Sequence, residues 1–242
     1  MNQVDLEKLV SAVEQKAVRA SREAGRTSDD VKLRYSSLSS FLPRPRLMLI
    51  GVNAAGTAEN HKSEARARAL PDYWAYLDED WLRGGGLGGD NRQLRIQASA
   101  LAALGWDPNF CTGLVKRQEK LDSRAEKALR AVPAIQLWPF RSADRPELMR
   151  RWPALYQLGP SLALEIVNAV RPRIVMALGK PPYDQLCTGM SVTGSEARYN
   201  AIAAVAVQYP DKSKGILLRI AHPSQGWSYS VIDDLSGLFR KG

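Results

Sequence analysis

Cysteine and histidine are both scarce in this chain of 242 residues, which contains two of each. The cysteines, Cys111 and Cys187, lie far apart, and the chain has no Cys-x-x-Cys motif. A zinc ribbon is therefore unsupported, and a four-cysteine iron–sulfur cluster is excluded. Two isolated histidines, His61 and His222, do not make a metal site. We expect neither a metal nor a cofactor, and the low cysteine content indicates the reducing cytoplasm.

Long apolar runs are also missing. No stretch of about 18 apolar residues occurs, so no membrane span is expected. The first residues lack a basic region followed by an apolar one, so no secretory signal is expected. The stretch Gly51–Thr57 resembles a phosphate loop, but threonine stands where the nucleotide-binding motif requires lysine. A nucleoside triphosphatase is therefore disfavoured.

Positive charge, by contrast, is in excess. The chain has 34 Lys and Arg against 25 Asp and Glu, a net charge of +9 and a pI of about 9.7. This balance favours a polyanionic partner, nucleic acid first, although basic proteins without such a partner exist. The length and the absence of a linker predict a single domain over residues 1–242, which we expect to be a monomer.

Hydrophobic patterns divide the chain into helices and strands. Residues 4–24 have apolar side chains at helical spacing up to Gly25, which predicts a docking helix within residues 1–25. Residues 26–46 are polar and favour a loop. Four short apolar runs are typical of strands covered on both faces: Leu47–Val52, Ala134–Trp138, Arg173–Leu178 and Ile216–Ala221. The apolar run Ala201–Val207 fits no single assignment.

Helical patterns separate the four strands and follow the last one. They lie at Leu94–Leu104, Arg124–Ala131, Leu155–Ala169 and Ser230–Arg240. This alternation predicts an α/β fold with a parallel sheet and helices on both sides. Residues 57–91 form a long, glycine-rich insertion, and such insertions often act as lids or binding loops.

Two of the strand ends offer candidate chemistry, because ligands bind at the carboxyl ends of strands in open α/β sheets. Asn53 ends the first strand, where its amide oxygen can hold a water molecule or merely cap the next segment. The small residues Gly51, Ala54 and Ala55 let a substrate approach the backbone. His222 follows the fourth strand, where it is either structural or catalytic.

The second strand and its exit supply further candidates. Gln136 lies in an otherwise apolar strand, and its buried amide needs partners, which a base edge or a backbone carbonyl could provide. Phe140 and Arg141 follow the strand, in positions suited to stacking and to phosphate contact. Other aromatic residues could stack on a base or form a buried face: Tyr73, Trp74 and Trp81.

Together these segments resemble the uracil-DNA glycosylase superfamily. The resemblance covers roughly residues 45–240 and rests on Gly51-Val52-Asn53, Gln136–Ser142, Arg171–Gly179 and His222-Pro223-Ser224. It implies a three-layer α/β/α domain with a four-stranded parallel sheet. It also implies a monofunctional DNA glycosylase that acts on a flipped-out base and leaves an abasic site.

The resemblance further implies a role for each matching residue. Asn53 would orient the attacking water, and His222 would stabilise the departing base as an anion. Gln136 would read the Watson–Crick edge, where the family usually has asparagine. Arg141, Lys180 and the loop after His222 would contact single- or double-stranded DNA, and the loop residues concerned are Ser224, Gln225 and Trp227.

One departure from the family bears on the substrate. The bulky aromatic residue that excludes 5-substituted pyrimidines is absent, and Ala54, Ala55 and Gly56 occupy that stretch. We therefore expect a base larger than uracil, such as the hypermodified cytosine of some phage DNA, and an antiviral role; plain uracil stays open. The alternatives are a non-catalytic DNA-binding module on the same fold and, more remotely, a small-molecule hydrolase.

Overall fold

The sheet and helices described here come from a computed structural model. It describes residues 1–53, 70–75, 127, 129–199 and 202–221, with Asn53 and Tyr199 described by their backbone alone. The helices are α1 (Gln3–Glu23), α2 (Arg145–Arg151), α3 (Pro153–Val170) and α4 (Lys180–Gly189). The strands are β1 (Leu47–Asn53), β2 (Ala134–Trp138), β3 (Ile174–Leu178), β4 (Ser191–Val192), β5 (Ala197–Tyr199), β6 (Ile202–Gln208) and β7 (Lys214–Ile220).

All of these strands belong to one mixed sheet with the order β2-β1-β3-β7-β6-β4. The four strands predicted from the sequence are β2, β1, β3 and β7, and they pair in parallel as expected. The prediction of a sheet with only those four strands is wrong. β6 pairs antiparallel with β7, and β4 and β5 follow each other along the outer edge of β6.

Both faces of the sheet are apolar, as the unbroken hydrophobic runs predicted. On one face Met48, Val175 and Leu217 share a core cluster with buried residues of α1, α3 and α4. On the other face Leu49 and Leu218 are equally buried. The described helices therefore cover the first face. The predicted helices Leu94–Leu104 and Ser230–Arg240 lie outside the described residues, so a three-layer arrangement stays a prediction.

The predicted docking helix α1 is confirmed. Asn2 and Asp5 form a reciprocal capping box at its start, and Gly25 takes a φ of 75° just beyond its end. Leu6, Val10 and Ala17 face the core cluster, in which α1 packs mainly on α3. The helix thus joins the core through the apolar stripe that its sequence displays.

The segment before β1 is not the plain loop that its polarity predicted. Residues 30–36 run antiparallel along the outer edge of β2, with isolated bridges between Val31 and Phe140 and between Arg34 and Ile135. Backbone hydrogen bonds join the two chains, such as that from the Gln136 N–H to the Leu33 carbonyl (2.9 Å). This pairing occupies the free edge of β2.

Among the described residues, no helix has the length and apolar character needed to cross a membrane.

Candidate active site

The strand order reverses between β1 and β3. After β1 the next strand of the sheet, β2, lies on one side, whereas after β3 the chain continues to β6 and β7 on the other side. In open α/β sheets such a reversal leaves a crevice at the carboxyl ends of the two strands, and ligands bind there. The topology therefore puts the candidate site at the ends of β1 and β3.

At this point the edge of the sheet steps back by about two residues from β1 to β3 and β7, and we call this step the notch. Ile50 pairs with Ala177, so Gly51 is level with Leu178, the last residue of β3, while β1 continues to Asn53. Gly179 then turns the chain into α4 with a φ of 107°, a conformation that favours glycine. β7, on the other side of β3, ends at Ile220, which is also level with Leu178.

The backbones of β1 and β7 are about 10 Å apart, two strand spacings, with β3 between them. Asn53 ends β1 with its backbone paired to Trp138, and its side chain lies outside the described residues. The last described residue after β7 is Ala221, so His222 also lies outside. The topology brings the two chain segments to one edge of the sheet, and the convergence of the two side chains stays a prediction.

Gln136 is a buried polar side chain near this end of the sheet. It is 4% exposed and pairs in register with Gly51 on the neighbouring strand. Its Oε1 atom is buried and has no hydrogen-bond partner among the residues that the structure describes. A buried amide oxygen without a partner costs about 1–3 kcal/mol. A backbone carbonyl, one of the two partners considered for this amide, could bind only its N–H groups. The Oε1 atom needs a hydrogen-bond donor instead.

Gly51 makes room for that amide. A Cβ atom on Gly51 would lie 2.4 Å from Oε1 and 2.8 Å from Nε2 of Gln136. The missing side chain therefore admits the Gln136 amide over the β1 backbone. The sequence predicts that Gly51 lets a substrate approach the backbone, whereas in the structure the Gln136 amide fills this space.

A buried lysine on the edge of β2 was missed by the sequence analysis. Lys32 is fully buried, and its ammonium lies 4.3 Å from the centroid of the Tyr35 ring. The Lys32 N–H donates to the Pro139 carbonyl and the Tyr35 N–H to the Ala134 carbonyl, so the two residues bracket Gln136. The alternation Val31-Lys32-Leu33-Arg34-Tyr35 is a strand pattern that could have revealed this pairing.

Two predicted contacts at the exit of β2 need correction. Phe140 is fully buried in the core cluster, so its ring packs inside the protein instead of facing a base. Arg141 is 4% exposed, and its Nε donates to the Asp29 carbonyl (2.9 Å). Its placement is that of a structural residue that ties the segment before β1 to the end of β2, and not of a surface phosphate contact.

An ion pair supports the same junction. Arg26 donates to the Arg141 carbonyl (2.6 Å) and to the Asp30 carboxylate (3.2 Å), and its guanidinium lies over the Trp152 ring. Burial alone would raise the pKa of Asp30, but hydrogen bonds from Thr27 and Arg26 outweigh it and lower this pKa overall. The exit of β2 is therefore held in place by charged groups that bind each other.

Lys180 occupies a more open position. It begins α4 directly after the notch, its side chain is 71% exposed, and it pairs with Asp184 on the next turn. This position suits a phosphate contact, which stays a prediction.

The remaining candidates divide into buried and undescribed residues. Tyr73 and Trp74 are fully buried, and the Trp74 indole donates to the Val132 carbonyl (3.0 Å), so the buried alternative is correct for both. Several candidates lie outside the described residues: Ala54, Ala55, Trp81, Ser224, Gln225, Trp227 and most of the insertion at 57–91.

Within the described part of the chain, no group of three or more His, Cys, Asp or Glu side chains could hold a metal ion. The free thiol of Cys187 is half-buried, and burial raises its pKa. Cys187 lies about two turns along α4 from the notch.

Comparison with known proteins adds no family assignment: no protein-family model matches the chain, and no curated protein matches it either.

Proposed function

We propose that the protein is a DNA glycosylase with a fold of the uracil-DNA glycosylase type, which hydrolyses the N-glycosidic bond of a flipped-out pyrimidine. The observation that carries this proposal is the buried Gln136 amide beside the notch at the carboxyl ends of the parallel strands, whose acceptor atom has no partner in the described part of the chain. A site built to bind a base needs such an amide, because base edges present donors and acceptors side by side.

Base flipping would bring a base to this buried amide. The glycosidic bond is hidden in a stacked duplex, so an enzyme that cleaves it takes the nucleotide out of the stack and into a pocket. In such a pocket the Oε1 atom of Gln136 accepts a hydrogen bond from the base. The free-energy cost of the unsatisfied oxygen in the free protein is then relieved in the complex, which favours binding. A base without the matching donor leaves the amide unsatisfied and is rejected.

Hydrolysis requires a positioned water and a stabilised leaving group. In the proposed reaction Asn53 holds the water that adds to the C1′ carbon, while the C1′–N bond breaks and its electron pair leaves with the base. His222 donates a hydrogen bond to the resulting base anion. The sugar keeps the hydroxyl group of the water, and the other proton of the water passes through solvent to the base, which leaves in its neutral form. Electrostatic stabilisation of this kind contributes about 10²–10³ in rate per donor.

The proposed substrate is a 5-modified pyrimidine, with a hypermodified cytosine of phage DNA as the leading example and an antiviral role as the consequence. Support comes from the sequence after Asn53, where alanines and glycine stand in place of a bulky aromatic residue. The net charge of +9 fits a polyanionic substrate.

Matched oligonucleotides test the proposal. They carry uracil, 5-hydroxymethylcytosine or its glucosylated form at one position, and abasic sites are read out by cleavage in alkali. We expect release of a modified cytosine by the wild-type protein, and a loss of about 10²–10³ in rate for Asn53→Ala and His222→Ala with DNA binding retained.

The other outcomes are equally informative. Release of plain uracil alone would refute the enlarged pocket and keep the glycosylase. Tight DNA binding without release of any base would refute the glycosylase and favour a non-catalytic DNA-binding module. Absence of salt-dependent DNA binding would leave a small-molecule hydrolase.

A further inference from the structure

Three short basic motifs precede three adjacent strands of the sheet. They are Arg44-Pro45-Arg46 before β1, Arg171-Pro172-Arg173 before β3 and Lys212-Ser213-Lys214, which runs into the start of β7. In sequence they are far apart. Because β1, β3 and β7 are neighbours and run in parallel, their amino ends meet at one edge of the sheet.

Backbone hydrogen bonds join the motifs directly. The Arg44 N–H donates to the Val170 carbonyl at the end of α3, and the Arg173 N–H donates to the Pro45 carbonyl (both 2.9 Å). The Ile216 N–H donates to the Arg173 carbonyl, also at 2.9 Å. We call this surface, formed by Arg44, Arg46, Arg171, Arg173, Lys212 and Lys214, the basic edge.

The basic edge is exposed and almost unneutralised. Five of its six residues are exposed, and Arg171 is half-buried. The motifs themselves contain no acidic residue, and Asp211, which directly precedes the third motif, pairs with Arg171. The other five side chains form no ion pair in the described structure.

Backbone conformation provides an independent observation. Three non-glycine residues of the described chain have a positive φ: Arg44 (52°), Arg171 (52°) and Lys212 (70°). All three belong to the basic edge. The left-handed conformation costs free energy in any residue but glycine, and such strain concentrates at functional positions. Long basic side chains thus stand at three positions where the backbone favours glycine.

We propose that the basic edge is a second nucleic-acid-binding surface, which holds the phosphate backbone of a DNA segment separate from the one in the candidate active site. Four of its six residues are arginines, whose planar guanidinium groups bind phosphate oxygens in pairs. They extend across three strands about 4.8 Å apart, a row suited to following a backbone rather than a single phosphate.

The separation of the two sites follows from strand length. β1 has seven residues, which span about 20 Å from the basic edge to the carboxyl end. One edge cannot therefore be an extension of the other. The inference does not rest on the glycosylase activity, since it requires only a polyanion of the right shape.

An anionic membrane is the main competing partner. Leu42 and Ile216 flank the basic edge and are 40% and 36% exposed. Two partly exposed side chains offer little apolar surface for insertion, whereas the arginines offer several phosphate-binding forks. The observations therefore favour nucleic acid, and anionic lipid becomes one arm of the test.

The test compares two triple variants of the full chain. The first, Arg46→Gln with Arg173→Gln and Lys214→Gln, neutralises the basic edge. The matched control, Arg19→Gln with Arg22→Gln and Lys8→Gln, removes the same three charges from the exposed face of α1. Circular dichroism establishes that both variants are folded, and binding of a short unmodified duplex is measured from low to high salt.

We expect the basic-edge variant to bind the duplex about tenfold or more weakly, and its plot of log affinity against log salt to flatten by about 0.9 for each lost phosphate contact. The control should keep the wild-type slope. Equal losses in both variants would overturn the proposal, as would a basic-edge variant that loses binding to phosphatidylserine vesicles but keeps its affinity for DNA.

This result is independent of base release. DNA binding that depends on the basic edge, without release of any base, would support the proposed surface and refute the proposed glycosylase activity. Release of a base with no effect of the basic-edge variant on DNA affinity or salt slope would do the reverse.

Discussion

The two ends of the parallel strands differ in nearly every physical respect. The carboxyl end holds a neutral, buried amide in register with a glycine, beside the notch where the sheet edge steps back after β1. The amino end holds six basic side chains, three of them on left-handed backbone. In a parallel sheet, residues that precede the strands lie at one edge and residues that follow them lie at the other. One sheet can therefore carry a base-binding amide at one edge and a basic surface at the opposite edge.

A glycine at the amino end gives the largest expected stability effect. A Cβ on Gly215 would lie 2.8 Å from the Tyr209 hydroxyl and 3.0 Å from the Pro172 carbonyl, which that hydroxyl binds. We expect Gly215→Ala to lower the free energy of unfolding by about 3 kcal/mol, because the hydrogen bond is displaced inside a packed site. Urea denaturation measures it.

The control is another glycine-to-alanine change. Gly189 is exposed, and a Cβ there would lie 2.1 Å from the Leu164 Cδ1 atom, the end of a flexible and partly buried side chain. Gly189→Ala should therefore cost less than about 1 kcal/mol. Equal costs for the two variants would contradict the account of Gly215.

The matching glycine at the carboxyl end should affect both stability and function. Gly51→Ala pushes a Cβ into the Gln136 amide, at an expected cost of about 1–3 kcal/mol, and slows base release because the amide is displaced. The same change in a Gln136→Ala background should cost about 1 kcal/mol less, since the amide is gone. A double-mutant cycle in urea measures this coupling. A coupling energy of zero would mean that the alanine side chain does not clash with the Gln136 amide.

The amino end should also be the more pH-sensitive one. Hydrogen bonds from the Ser213 hydroxyl and N–H, together with Arg171, lower the pKa of Asp211 to about 2. A lowered pKa in the folded state stabilises the protein above the unfolded value, and this contribution disappears as pH falls through about 2. Asp211→Asn should therefore be less stable than wild type near neutral pH, and the two should converge in acid. A constant difference from pH 6 to pH 2 would contradict this.

Much of the parallel core could be predicted from the sequence, because strands covered on both faces appear as unbroken apolar runs. All four runs correspond to β1, β2, β3 and β7 within one or two residues. The helix α3 was equally clear from its apolar spacing. The run that became β6 fitted strand or helix alike, since apolar composition alone does not distinguish the two.

Edges were harder to predict than the core. The strand-like course of residues 30–36 depends on hydrogen bonds to the free edge of β2, which composition does not show. Phe140 and Arg141 follow β2 directly, but position after a strand does not fix where a side chain points, and both proved buried. The basic edge is invisible in sequence because its three motifs meet only through the strand order.

Gln136 is the candidate that both the sequence and the structure single out. The sequence predicted a buried amide in need of partners, and the structure adds that its acceptor oxygen has none and that Gly51 makes its room. The sequence pattern alone does not show that Gly51 is the neighbour of Gln136 on the adjacent strand.

The most direct measurement is single-turnover base release by Gln136→Leu on saturating DNA that contains the cleaved base. Removal of an unsatisfied amide should leave the free protein as stable as wild type or more so, while release slows by about tenfold to a hundredfold. A less stable variant that releases the base at the wild-type rate would mean that Gln136 supports the fold and reads nothing.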